Sequence, residues 1–394
     1  MIAKTLLEDA CPEKRLLVYC ARTQVCPEMA QKIRDLGTGP LDWDYFLLQA
    51  AENSILPLAS RHLLANAPDV LPLPFVERMK AASRQSAVRC LLLTAELIKI
   101  VQHLQAEGIF AIPYKGPLIA AQAYGDVALR EYDDLDIILA QRDLPKACEV
   151  MLGLGYRAKF PWILPAHTSL VPGEYNFRNE SQQILLELHT ELTLRHFPVA
   201  LNVNDFGERL VPVALSGHDI VTFSPEDALP ALCIHGAKDF WERLSWIADI
   251  SELIRAHPRL DWDHVARRAE AWKSQRMLRI GLALAAGILD LPLPPEVSKQ
   301  VESDRVAGIV AADVARRLLS PELPSMNSFV RLKFRRRMVA GYISGWRYSM
   351  RLTLAPAEED WEMLRLPHAL SPFYVVLRPF RLLRKHGGLG SRSH

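Results

Sequence analysis

The chain has 394 residues, about half of them hydrophobic, and a formal net charge of +2. This composition excludes a disordered polymer, and the near-neutral charge gives no overall case for nucleic acid as a partner. The length exceeds one ordinary small core, so two or three domains are expected.

The N-terminal MIAKTLLEDACPEK has no apolar signal core. Residues 1–107 read as a helical region. DWDYFLLQAAENSILPLASRHLLA opens with Asp42 or Asp44 as N-cap and continues at helical spacing. A longer helical pattern runs from Phe75 to Gln105, with Gly108 suited to the C′ position.

The pattern changes at residue 108, and residues 108–204 read as a compact α/β core. Ile109 to Tyr114 is a short buried strand, and KGPLIAAQAYG is a turn into a helix with Pro117 at the first helical position. Asp134 to Ala140 is a second strand. RDLPKACEVMLGLGY is an amphipathic helix closed by Gly155. RAKF and the region HTSLVPGEYNFR read as sheet or loop, and Gln183 to Leu192 as a further strand.

Residues 205–320 read as a helical domain. It starts at Ser224-Pro225-Glu226-Asp227, where Ser is the N-cap, Pro is N1 and acids fill the first turn. Its patterns are ALCIHGAKDFWERLSWIADISELIRA, DHVARRAEAWKSQRMLRIGLALAAGIL and PEVSKQVESDRVAGIVAADVARRLL. The apolar run from Ile280 to Leu289 is the longest, about half of what a membrane span needs. Residues 321–394 form a basic tail, with twelve Lys/Arg against four Asp/Glu between Arg331 and Lys385. Six cysteines without a C-x-x-C pair argue against a disulfide framework. A cytoplasmic protein with no transmembrane segment is expected.

Three stretches carry chemistry. In REYDDLDIIL, Asp134 and Asp136 are two apart on a strand and share one face, with Leu135 and Ile137 on the other. A hard divalent ion takes such paired carboxylates, but an acidic strand start facing water has the same pattern. Glu131 and Asp133 have the other parity and read as solvated or capping groups. Lys115-Gly116 lies between strand and helix. A glycine there lets backbone amides approach a phosphate, and Lys115 adds a charge. It is equally an ordinary turn. In LLELHTEL, Glu187, His189 and Glu191 share a face, either as a third acid with a supporting histidine or as an exposed strand face.

Together these residues resemble the nucleotidyltransferase superfamily with the DNA polymerase β-like fold. YKGPLIAAQAYGDVALREYDDLDIIL is similar to the K-G…Y-G…R…D-x-D block of an uncharacterised bacterial nucleotidyltransferase family. LELHTEL and HGAKDFWERLSWIADISELI resemble that family's later segments. The resemblance spans about residues 40 to 270. It implies an α+β fold: a nucleotidyltransferase-type core with a mixed sheet, N-terminal helices and a C-terminal helical domain. It also implies an enzyme in which Asp134, Asp136 and Glu187 hold Mg²⁺, two ions in all, while NMP passes from an NTP such as ATP to an acceptor. Lys115, Gly116 and Arg130 would serve the phosphates, and His189 would support the acids. The sequence departs from the superfamily at Pro117, which has no hydroxyl and no N–H where Ser or Gly is usual, and at Glu187, where Asp is common.

His235, Lys238 and Asp239 share a helical face, which Glu242 and Trp246 are expected to extend. Lys238 would meet phosphate, and His235 the acceptor or its proton. The same spacing fits a packing helix. Trp241 and Trp246 read as core. The acceptor is unidentified: a small molecule, a peptide or a protein. RNA held by Arg335, Arg336 and Arg337 is a lesser option. A non-catalytic module binding a nucleotide or a partner on the same fold is the alternative function.

Overall fold

The computed structural model describes residues 2–160, 173–191, 209–321, 326–339 and scattered positions between 350 and 381. The basic tail beyond residue 339 lies largely outside these residues, as does the stretch from His167 to Pro172. Five helices lead in: α1 (Ile2–Glu8), α2 (Pro12–Cys20), α3 (Pro27–Gly37), α4 (Trp43–Glu52) and α5 (Leu56–Asn66). Asp42 caps α4 by accepting from the Tyr45 amide. Then α6 (Leu73–Ala106) runs unbroken for 34 residues. Beyond Pro74 it contains no glycine or proline to interrupt it, and Gly108 at φ +72° ends it.

The sheet follows: β1 (Ala111–Pro113), the short helix α7 (Pro117–Ile119), β2 (Asp134–Leu139), α8 (Leu144–Gly153), β3 (Arg157–Ala158), β4 (Glu174–Asn179) and β5 (Ile184–His189). Strand order is β1-β2-β5-β4-β3. Among the described strands of this sheet only β2 and β5 are parallel, so the sheet is mixed. Register separates its faces. Leu135, Ile137, Leu139, Leu186, Leu188, Tyr175 and Phe177 fall on one face and pack into a core with the second half of α6 and with α8. The opposite face carries Asp134, Asp136, Glu187, His189 and Glu174. Alternation along the strands therefore places the acids together and keeps them out of the apolar core.

A hairpin not expected from sequence comes next, β6 (Leu210–Leu215) and β7 (His218–Phe223). Its turn residues Ser216 and Gly217 both have positive φ, the geometry of a two-residue loop that suits strand twist. The hairpin leans on β1: the Thr222 hydroxyl donates to the Pro113 carbonyl at 2.6 Å.

Helices complete the described chain: α9 (Pro225–Lys238), α10 (Leu244–Ala256), α11 (Trp262–Ala271), α12 (Gln275–Leu289), α13 (Pro295–Ser303), α14 (Arg305–Leu319) and α15 (Ser328–Met338). Each of the three long helical patterns read from sequence divides in two. The first breaks at Phe240 and Trp241, both left-handed at φ +60° and +55°. The Trp241 ring folds back over Gly236, where a Cβ would lie 2.4 Å from it, so only glycine leaves room. Residues of α2–α5, the start of α6 and α9–α15 share a single hydrophobic cluster. Among the described residues no helix is long and apolar enough to cross a membrane.

Candidate active site

Asp136 and Glu187 are register partners on the two parallel strands, so their side chains stand side by side. His189 follows two positions on. Its Nε2 lies 3.0 Å from Asp136 Oδ1 and 3.3 Å from Glu187 Oε2. Ligand atoms of the three residues all lie within 4.8 Å of one another. Tyr114 packs its ring edge-on to His189 at 5.6 Å and holds the imidazole in place.

Lys115 joins the cluster, with Nζ 2.7 Å from Asp136 Oδ1. Gly116 makes the approach possible, since φ +49° and ψ −120° at the start of α7 suit glycine alone. The lysine expected to meet phosphate thus neutralises an acid of the cluster.

Each charge has a traceable cause. Burial opposes ionisation of Asp136, but the charges of Lys115 and His189 hold it well below the usual carboxylate range. Burial also opposes charge on His189, yet its hydrogen bonds to Asp136 and Glu187 raise it to about 9. Burial, then the negative charge of Asp136, push Asp134 up to about 6. Asp134 is the crowded carboxyl that resists ionising. The tight cluster joins His189 to Asp136 and Glu187, and Asp134 stands beside it, two positions before Asp136 on the same strand face.

Among the described residues Asp136 Oδ2 is buried without a hydrogen-bond partner. A buried carboxylate oxygen without a donor is costly, and a bound cation would satisfy it. The ligand atoms gathered there are carboxylate oxygens of Asp136 and Glu187 and a nitrogen of His189, and carboxylate oxygen suits a hard divalent ion. His189 Nε2 lies within reach of both carboxylates and orients them.

Arg130 is placed elsewhere. Its Nε and Nη2 each lie 2.8 Å from a carboxylate oxygen of Asp249 on α10, and Tyr124 donates its hydroxyl to the same carboxylate at 2.7 Å. All three side chains are buried. The expectation that Arg130 reaches a triphosphate is corrected: a bidentate buried pair has already engaged its donor fork.

His235 and Lys238 lie near the end of α9, beside the cluster. His235 Nδ1 is 3.5 Å from Asp239 Oδ2, and its ring stands edge-on to Trp246 at 5.2 Å. Burial, then Lys115 and Lys238, press His235 well below the ordinary histidine range. Lys238 Nζ is 3.7 Å from Glu174 Oε2 on β4. The expected helical extension through Glu242 and Trp246 does not exist, because the left-handed pair ends the helix. Trp246 still reaches His235, but from α10. Trp241 is fully buried in the core.

A family model for an uncharacterised nucleotidyltransferase matches residues 39–290. The chain belongs to that uncharacterised nucleotidyltransferase family. The match takes in the lysine turn, the strands that carry Asp136 and Glu187, and the helices that carry His235 and Asp249. No curated protein matches. Among solved structures, an antigenic nucleotidyltransferase-like protein from Paracoccidioides brasiliensis is similar at 14% identity. The match covers 54% of this chain and 92% of that one, with a TM-score of 0.29.

Sequence reasoning missed Glu174, Asp249 and Tyr124 as part of this neighbourhood. Tyr124 and Asp249 both lay inside the resembling segments. Asp249 left one local signal, an acid set in the apolar run W-I-A-D-I.

Proposed function

We propose that this chain is a Mg²⁺-dependent nucleotidyltransferase that moves NMP from an NTP to an acceptor nucleophile. The observation that carries the reading is the carboxylate pair Asp136–Glu187 on adjacent parallel strands. Among the described residues Asp136 Oδ2 is buried and unsatisfied, while Lys115 holds Oδ1 of the same carboxylate.

Asp134, Asp136 and Glu187 would hold Mg²⁺. Bound there, the metal would offset triphosphate charge and ease deprotonation of the acceptor. Lys115, on the β1 side, lies within reach of phosphate oxygens once Asp136 has another counter-charge. His189 fixes the two carboxylates in one orientation. Glu187 has the more open side chain of the pair, 21% exposed against 1% for Asp136, and faces the incoming nucleophile as proton acceptor. The acceptor oxygen bonds the α-phosphorus as the bond to the pyrophosphate oxygen breaks, and the proton passes through Glu187 to solvent.

The test uses Mg²⁺, α-labelled NTPs and pyrophosphate detection. Asp136→Asn and Glu187→Gln should each lower turnover by about 10²–10³-fold or more, the scale of losing one charge-stabilising group. Label transfer that persists in the Asp134→Ala/Asp136→Ala double variant sinks the assignment. Metal-independent nucleotide binding without pyrophosphate release would instead favour the binding-module alternative.

A further inference from the structure

Across the sheet, the polar face reads in order: Lys115 beside β1, Asp136 on β2, Glu187 and His189 on β5, Glu174 on β4. Glu174 is the register partner of His189, one strand beyond the metal-facing acids and away from Lys115. Adjacent strands lie about 4.8 Å apart. With phosphates toward Lys115, the acceptor must come from the Glu174 side.

Glu174 is incompletely satisfied there. Its side chain is 13% exposed, and among the described residues Oε2 is buried without a hydrogen bond. Lys238 Nζ stands off at 3.7 Å, too far for a hydrogen bond. The pair selects what can fill the gap. An ionised carboxylate only accepts and an ammonium only donates, whereas a hydroxyl does both. One hydroxyl oxygen about 2.8 Å from each atom completes both groups. An anionic group would be repelled by Glu174, and a cationic one by Lys238. His235 and Trp246 close the neighbouring wall.

We propose that Glu174 and Lys238 form an acceptor subsite for a neutral hydroxyl next to the reacting one, so that the acceptor is a polyhydroxylated, sugar-like small molecule. This rests on the transferase reading. The reacting hydroxyl at Glu187 bonds the α-phosphorus, pyrophosphate leaves with the electron pair of the broken bond, and the proton goes to Glu187. The second hydroxyl donates to Glu174 and accepts from Lys238, and it undergoes no chemistry.

Three matched probes test it: glucose, glucosamine and glucuronate, each with Mg²⁺ and α-labelled NTP. The wild-type KM for glucose should be at least tenfold below that for either charged analogue. Lys238→Glu should shift preference to glucosamine, and Glu174→Lys to glucuronate. Preferences are compared within each protein, so a loss of folded material cancels. Equal effects on all three probes, a charged analogue preferred by the wild type, or label entering a serine peptide or an oligoribonucleotide instead of glucose overturns the subsite. If no nucleotidyl transfer occurs with any acceptor, it is the transferase reading that falls. Saturation-transfer NMR of glucose, glucosamine and glucuronate on the same three proteins then decides the subsite by binding alone, with the same order of preference required.

Discussion

At the scale of single residues, Arg130 and Asp249 show how a motif can mislead about role. The arginine four positions before Asp134 has the spacing of a phosphate contact, yet the fold uses it to bolt the loop before β2 to α10. Removing one partner leaves a buried charge uncompensated. Asp249→Asn should therefore cost about 3–5 kcal/mol in urea unfolding, while Arg130→Met/Asp249→Leu together should cost clearly less than the two single losses added. Additive losses would refute the pairing. Lys115 makes the opposite kind of prediction. Its ammonium occupies the cation side of Asp136, so Lys115→Met should tighten Mn²⁺ binding by about tenfold in the absence of nucleotide, while turnover with NTP falls. A fluorescence titration and a rate assay separate the two effects. That Asp134, Asp136 and Glu187 share one face of the sheet was legible in sequence because strand parity is local. Glu174 and Asp249 were not, because their meaning comes from partners 64 and 119 residues away in the chain.

Among elements, strands β1, β2 and β5 and the long helix were readable from periodicity, and the boundaries between helices were not. The α9–α10 break is made by Trp241 seeking the notch over Gly236 and beside Gly281, a packing event with no local signal. Gly236→Ala should cost about 1–3 kcal/mol or more by overpacking, measured as a lowered unfolding midpoint with unchanged m-value. The β6–β7 hairpin did have a signal, Ser216-Gly217 between alternating apolar residues, masked by the strong helix start that follows at Ser224. Asp304 offers a pH test of an element junction. It caps α14 through the Ala307 amide and meets Arg276 and Arg279. Burial works against its charge, but these partners depress its pKa overall. A depressed carboxylate stabilises fully above its unfolded pKa, near 3.9, and that contribution disappears as pH falls through the folded value. Asp304→Asn should thus lose about 1.5–3 kcal/mol at pH 7, and its stability should converge with the wild type once pH falls below the folded value. Parallel curves at all pH values would show that the charge is irrelevant.

For the whole molecule, the two hydrophobic clusters frame the candidate site. One gathers the helices from both ends of the described chain, and the other lies between the sheet, α8 and the second half of α6. The polar face of the sheet looks toward the first cluster, so Lys238 on α9 meets Glu174 on β4, and the β2 and β5 acids act electrostatically on His235 and Lys238, only while the two bodies stay registered. Two devices hold them: α6, which runs through both clusters, and the buried Tyr124–Asp249–Arg130 bridge. Four buried free thiols report on the two bodies separately. Cys20 and Cys233 sit in the first cluster, and Cys90 and Cys148 in the second. Burial raises the pKa of each thiol, so reactivity toward a thiol reagent requires opening. In the wild type, pulsed labelling across a urea series should expose all four at one midpoint, because the bridge couples the clusters. In Asp249→Asn the coupling is weakened. Cys90 and Cys148, behind a sheet whose strands are six residues or shorter, should then become reactive at lower urea than Cys20 and Cys233. A single shared midpoint in the variant would mean that α6 alone is enough to keep the site's two halves together.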